Sequence, residues 1–144
     1  MDALDLTKQA PRAPREMLPG LNLLMMARTV DKLRATLPGG NPGEYKIAGF
    51  SERVLTALDI DEAAMRDAVA AAEHDGDVAA WIALHSDASR YDAVNAAIAA
   101  PKIADRIDDP AFVAKYPIYK TLPPETPLID ALAHDDRAAF APLS

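Results

Sequence analysis

The sequence predicts an all-α fold: a compact, irregular helical domain of five to seven helices with an extended N-terminal arm. Apolar residues recur at helical spacing through most of residues 21–100. Residues typical of helix starts and ends divide that stretch into segments of helical length. The one segment with an extended pattern, residues 44–50 (EYKIAGF), is a minimal strand at most, and a single strand does not make a sheet.

The length of 144 residues is that of one domain, so we expect residues 1–144 to form a single domain with three parts. Residues 1–19 form an extended arm packed on the body, and residues 21–100 form the helical core. Residues 101–144 form a proline-rich wrap with a final helix. Proline restricts its own backbone and that of the preceding residue, so the arm and the wrap are expected to be extended.

A helix predicted over residues 21–37 (LNLLMMARTVDKLRATL) organises the rest of the chain. Its first two turns are apolar on nearly every side, as expected of a helix that enters the core. Its second half carries Arg28, Asp31 and Lys32. The string Pro38-Gly39-Gly40 ends the predicted helix.

Caps and breakers mark the helices that follow. We expect helices over 52–58 behind Ser51, 62–73 behind Asp61, 78–85 behind Asp77 and 90–100 behind Ser89, a short piece over 102–107, a turn or two over 110–116, and a last helix over 128–133 behind Thr126-Pro127, with a final turn near Phe140. Prolines keep the stretch from 117 to 127 extended.

The composition excludes several classes of protein. Half of the residues are hydrophobic and 26% are charged, as in soluble globular proteins. There is no cysteine, which excludes disulfides and thiolate chemistry. No apolar run approaches the roughly 18 residues of a membrane span, and the N-terminus lacks a secretory signal pattern. We therefore expect a soluble bacterial protein of the cytoplasm with no membrane partner.

The charge is negative overall and unevenly distributed. A net charge of -7 argues against nucleic acid as a partner, because nonspecific binding needs a basic surface. Residues 1–53 hold 8 Lys/Arg against 6 Asp/Glu, a net +2, whereas the remaining residues carry a net -9. The positive charge is therefore concentrated around the first helix, which points to a site there.

Several strings in the first half of the chain resemble one bacterial family. Residues 5–16 read DLTKQAPRAPRE, residues 28–34 read RTVDKLR, and residues 43–45 read GEY. The boundary Leu58-Asp59-Ile60-Asp61 and the segment from Asp77 to Trp81 continue the pattern. Together they resemble the domain-of-unknown-function family numbered 5069. The resemblance implies a single compact domain and supplies no activity.

Four cations near the first helix form the leading candidate site, an anion-binding pocket. Arg12 and Arg15 lie on the arm, and Arg28 and Lys32 are one turn apart on the helix. Tyr45 follows a glycine turn that lets the backbone approach a ligand. Guanidinium groups bind carboxylate or phosphate through paired hydrogen bonds, and an arginine rising from an apolar helix needs an acceptor.

A structural clamp explains the same residues. Arg28 would then pair with Asp31 or Glu44, and the arginines of the arm with Asp31 or Glu16, so that the arm is locked onto the body. Buried charges must be paired under either hypothesis, which leaves both open at the level of sequence.

A general acid/base pair is a further alternative, with the carboxylates of Asp31 and Glu44 beside Tyr45. A carboxylate that acts as a base needs a raised pKa, however, and neighbouring cations lower that pKa. This chemistry is therefore the weaker interpretation of the two acids.

Metal and cofactor motifs are absent from the sequence. His74, His85 and His134 are far apart and lack the spacing of a zinc motif. There is no phosphate-binding glycine loop and no dinucleotide fingerprint. We expect no metal and no cofactor.

These patterns predict a helical domain that binds a small anionic metabolite at the arm and the first helix. The four cations supply positive charge, and Tyr45 supplies a hydroxyl and one wall. Two alternatives stay open: a cofactor-free enzyme in which Tyr45 and a carboxylate transfer protons, and a protein–protein interaction module in which the arginine cluster is only a clamp. The candidate partners are a small anionic ligand and, in a homodimer, a second copy of the chain.

Overall fold

Helices make up the architecture of the computed structural model, which describes residues 1–140. The α-helices of this part of the chain are α1 (Met26–Arg34), α2 (Phe50–Ala57), α3 (Glu62–Ala71), α4 (Asp75–Leu84), α5 (Tyr91–Ala99), α6 (Pro110–Lys115) and α7 (Leu128–Ala139). Short 3-10 turns lie at Ala88–Arg90, Ile103–Asp105 and Pro117–Thr121. Over residues 1–140 strand-type pairing is limited to two isolated bridges, Asp5 with Asn41 and Lys102 with Pro127. The all-α prediction is confirmed.

Helix α1 lies at the centre of the main hydrophobic core. Met26, Ala27, Val30 and Leu33 are completely buried, and α1 contacts both α2 and α3. Burial of these apolar side chains stabilises the fold through the hydrophobic effect. Helix α1 lies within the 21–37 segment that was predicted to organise the chain.

A smaller apolar cluster lies under the C-terminal part of the described chain. It is built from Ile103, Tyr119, Leu128 and Ala131. The half-buried ring of Phe50, at the start of α2, packs against both this cluster and the main core. The contact links the C-terminal elements to α2, the helix that follows the Tyr45 turn.

The predicted helix over residues 21–37 is too long at both ends. The N–H groups of its first residues are held from outside, that of Leu24 by the Asn95 side chain and that of Met25 by the Pro14 carbonyl. Met25 also adopts a left-handed backbone with φ 68°, which interrupts a right-handed helix. The apolar residues of 21–25 are buried as predicted, but Asn22 is exposed and the segment is an irregular turn.

The helix boundaries after α1 differ from the predictions in informative ways. Residues 44–50 do not form a strand, and α2 begins at Phe50 with Gly49 at φ 57° before it. Ser51 is therefore not a cap but a fully buried residue of the first turn. Asp61 caps α3 as predicted, accepting a hydrogen bond from the Ala64 N–H. Asp77 folds back to accept the N–H groups that precede α4, which begins three residues earlier than predicted.

The last helix is twice as long as predicted. No glycine or proline interrupts residues 128–140, and α7 runs to Ala139 with Phe140 as its C-terminal cap. Asp136 lies on the inner face of α7, and the helix accommodates this acid because it is paired with a buried cation. The 117–121 stretch, expected to be extended, is a 3-10 turn. None of the helices described is long and apolar enough to cross a membrane.

Candidate functional site

Helix α1 carries two buried cations, one turn apart. Arg28 is 3% exposed and Lys32 is 8% exposed. The Arg28 guanidinium faces α7, where Nη1 donates to Asp136 Oδ2 at 2.6 Å and Nη2 donates to Oδ1 at 3.4 Å. Arg28 thus holds a carboxylate that lies 108 residues further along the chain.

Tyr45 holds the same carboxylate from a second direction. Its hydroxyl donates to Asp136 Oδ1 at 2.8 Å, and its ring lies 5.5 Å from the Arg28 guanidinium carbon. Burial raises the pKa of the Tyr45 phenol, and the hydrogen bond to Asp136 raises it further, so Tyr45 is a hydrogen-bond donor at neutral pH. Three hydrogen bonds from two separate segments therefore converge on one side chain.

Lys32 has a neutral partner instead of an acid. Its Nζ donates to Ser51 Oγ at 3.1 Å, and no carboxylate of residues 1–140 lies within 4 Å of that nitrogen. Burial and, to a smaller extent, the charge of Arg28 lower the pKa of the Lys32 ammonium to about 8, against the opposing effect of Asp136. We name Arg28, Lys32, Tyr45 and Ser51 the Arg28 site.

One donor of the Arg28 site is buried and unused. Arg28 Nε has no hydrogen-bond partner within the described part of the chain. Asp135, next to Asp136, is partly buried, and burial together with the neighbouring Asp136 charge raises the pKa of its carboxyl. Two nitrogens of Arg28 therefore donate to the acid that α7 provides, and the third, Nε, does not.

The arm forms a second charged cluster, which we name the arm cluster: Arg12, Asp31 and Asp75. Arg12 donates through its side chain to Asp31 at 3.0–3.2 Å and to Asp75 at 2.8 and 3.1 Å, while its backbone N–H donates to Asp31. Burial lowers the pKa of the Arg12 guanidinium, but the hydrogen bonds to Asp75 and Asp31 outweigh it and leave that pKa above its usual value. The Arg12–Asp31 pair is the one that the clamp hypothesis predicts.

The other two candidate residues lie outside both clusters. Arg15 pairs with Asp130 of α7 at 2.6 Å, in a largely exposed position. Glu44 is exposed and makes no ion pair or side-chain hydrogen bond with the rest of residues 1–140. The structure thus brings together Arg28, Lys32 and Tyr45, but it places Asp31 with the arm and Glu44 in solvent.

Sequence reasoning missed Asp136 and misread Ser51. The proposed partners of Arg28, Asp31 and Glu44, were wrong because the acceptor comes from the distant helix α7. A signal for it exists: Asp136 lies two turns after the fully buried Ile129, so a longer helix would have placed it on the apolar face. Within residues 1–140 no three metal-binding side chains cluster as a cation site would require.

Comparison with known families places this geometry in context. The family model described as "Domain of unknown function (DUF5069)" matches residues 8–108, more than two thirds of the chain. The chain belongs to the DUF5069 family. No curated protein matches it. The resemblance seen in the sequence is thereby confirmed.

Each of the two ion pairs that α7 makes joins a cation inside the DUF5069 match to an acid outside it. The matched residues include the whole Arg28 site and the whole arm cluster. They end before α6, so Asp130 and Asp136, the acids that α7 brings to Arg15 and Arg28, lie beyond the matched part.

Proposed function

We propose that this DUF5069 protein binds a small carboxylate-bearing ligand at the Arg28 site. The observation that carries the proposal is the arrangement around Asp136, whose carboxylate accepts hydrogen bonds from Arg28 and Tyr45 at 2.6–3.4 Å. A guanidinium and a phenol that converge on a carboxylate are the groups that recognise one in a ligand.

The charge of the site supports a ligand that is more anionic than a single aspartate. Arg28 and Lys32 are both buried, whereas Asp136 is the one carboxylate in hydrogen-bond contact with either of them among the residues described. The free Nε of Arg28 adds an unused donor to the same group. A small dicarboxylate would match more of these donors than Asp136 does.

Asp136 acts as an intramolecular occupant in this proposal. A ligand carboxylate takes its position on Arg28 and Tyr45, and α7 shifts to release it. Because a tethered group competes at a high effective concentration, the wild-type protein binds free carboxylates more weakly than a chain without that competitor.

The geometry favours binding over the proton-transfer enzyme. The phenol of Tyr45 is held by Asp136, and its raised pKa makes it a poor source of a phenolate base. The two acids proposed for proton transfer, Asp31 and Glu44, are respectively paired with Arg12 and exposed to solvent.

The test is carboxylate binding to an Asp136→Asn variant, measured by calorimetry and by thermal unfolding with succinate as the probe. We expect succinate to raise the melting temperature of Asp136→Asn much more than that of wild type. At a hundred times the dissociation constant it adds about 2.7 kcal/mol to the free energy of unfolding. Inorganic phosphate in the same assay separates carboxylate recognition from general anion binding.

The matched control is Asp130→Asn, which removes the partly exposed acid that α7 pairs with Arg15 and leaves the Arg28 site intact. Adding Arg28→Met to Asp136→Asn should abolish the succinate effect. A folded Asp136→Asn variant that binds neither succinate nor phosphate would show that the Arg28–Asp136 pair is a structural clamp.

A further inference from the structure

Lys32 stands in an unusual environment for a lysine. Its Nζ is buried on α1, its hydrogen-bond partner is the neutral hydroxyl of Ser51, and a second cation, Arg28, lies one turn before it. A buried ammonium normally has an acid beside it, because the desolvated charge is otherwise costly. Desolvation and a neighbouring cation are the conditions that activate a lysine amine as a nucleophile.

We propose that Lys32 forms an imine with a small 2-oxo acid whose carboxylate is bound by Arg28 and Tyr45. The proposal rests on the proposed function, since it takes the carboxylate site as given, and it names the class of ligand. A 2-oxo acid has its carbonyl carbon directly attached to the carboxylate carbon. Four residues of α1, a rise of about 6 Å, separate the backbone positions of Arg28 and Lys32, so a carboxylate on the first brings that carbonyl towards the second.

The chemistry balances with the groups of the site. The lone pair of neutral Nζ attacks the carbonyl carbon, a C–N bond forms, and the carbonyl oxygen takes up a proton to give a carbinolamine. The C–O bond then breaks, and the oxygen leaves as water with the two hydrogens that the amine has lost. The imine remains, and one further proton converts it to an iminium. The hydroxyl of Ser51, 3.1 Å from Nζ, is placed to relay these protons.

Two other features agree with this role. The pKa of Lys32, lowered to about 8 chiefly by burial, leaves a share of the amine neutral near physiological pH. The remaining lysines of the chain are exposed, which makes them internal controls for reactivity: Lys8, Lys46, Lys102, Lys115 and Lys120.

The experiment is reductive trapping of the full chain with glyoxylate and cyanoborohydride, followed by intact mass measurement and peptide mapping. Cyanoborohydride reduces an iminium to a stable secondary amine, so each labelled lysine is read directly. In Asp136→Asn we expect Lys32 to be labelled roughly tenfold faster than the exposed lysines, because a bound carbonyl reacts as an intramolecular partner. Wild type should show the same preference at higher glyoxylate concentration, which keeps the test available if the variant fails to fold.

Two controls isolate the carboxylate and the amine. Propanal, an aldehyde without a carboxylate, should label the exposed lysines and show no preference for Lys32. Lys32→Arg keeps the positive charge but cannot form an imine, and the preferred label should vanish. Adding Arg28→Met to Asp136→Asn should reduce labelling of Lys32 to the level of the exposed lysines or below.

The outcomes separate this inference from the proposed function. If Asp136→Asn binds succinate but glyoxylate leaves Lys32 unlabelled, the imine is overturned and the binding site stands. If neither succinate binding nor labelling of Lys32 occurs, both proposals are overturned. Labelling of Lys32 by propanal as fast as by glyoxylate would overturn the choice of 2-oxo acids.

Discussion

The arm cluster and the Arg28 site both include charged side chains of α1, but their charges are balanced in opposite ways. In the arm cluster one guanidinium, Arg12, meets two carboxylates and uses its Nε and both Nη nitrogens. In the Arg28 site one of two buried cations, Arg28, meets a carboxylate, while Lys32 bonds to the neutral Ser51, and among the residues described Arg28 Nε has no partner. A saturated cluster locks two segments together, whereas a site with surplus donors can take up another acceptor.

The difference is also one of sequence distance. Arg12 joins the arm to α1 and to the start of α4, all within the residues that match DUF5069. Arg28 depends on α7, beyond that match, for its carboxylate. The arm cluster is therefore complete within the matched part of the chain, and the Arg28 site is completed by a helix outside it.

The largest expected effect comes from breaking the Arg28–Asp136 pair. Arg28→Met leaves the carboxylate of Asp136, itself 8% exposed, buried without its cation. Loss of one partner of a buried pair costs about 3–5 kcal/mol, which urea unfolding monitored by circular dichroism will measure. Adding Asp136→Leu should recover most of the loss, and a single variant as stable as wild type would contradict the burial of this pair.

A smaller effect of opposite sign is expected at Lys32. Its folded-state pKa of about 8 lies below the ordinary value of 10.5, so the unfolded chain binds the extra proton between these pH values. The contribution of Lys32 to the free energy of unfolding is therefore lowest below pH 8 and rises as the pH increases towards 10. Lys32→Met should stabilise the protein by about 3 kcal/mol at pH 7, and the gain should shrink as the pH rises.

Urea unfolding of wild type and Lys32→Met across this pH range measures the gap between their free energies of unfolding. Lys46→Met, at an exposed lysine, is the matched control and should show a gap near zero throughout. A gap that stays constant with pH would mean that Lys32 is not a buried ammonium in the folded state.

The smallest effects are expected at the two arginines of the arm. Arg12→Met should cost about 2 kcal/mol in urea unfolding, less than Arg28→Met, because Asp31 keeps Arg34 at 3.7 Å and Asp75 is 30% exposed to water. Arg15→Met should cost at most about 1 kcal/mol, since its pair with Asp130 is exposed and screened by salt. A reversal of the order of Arg12 and Arg28 would break the comparison between the two clusters.

The sequence by itself determined the all-α class and the family, and it placed a buried helix within the 21–37 segment. Helical periodicity, caps such as Asp61 and breakers such as Pro38-Gly39-Gly40 are local signals, and the physics that they report acts within a few residues. The grouping of Arg28, Lys32 and Tyr45 followed from the same short stretch of chain and from its excess of positive charge.

Only the tertiary structure decided which acid meets which cation. Asp31 and Glu44 are near Arg28 in sequence, yet Arg28 pairs with Asp136, while Asp31 turns to Arg12 and Glu44 to solvent. The choice depends on how α7 packs beside α1, and that packing is set by apolar contacts such as Ile129 in the main core. The role of Ser51 as the partner of Lys32 was hidden for the same reason, because the long-range packing of α2 on α1, and no local pattern, brings the two side chains together.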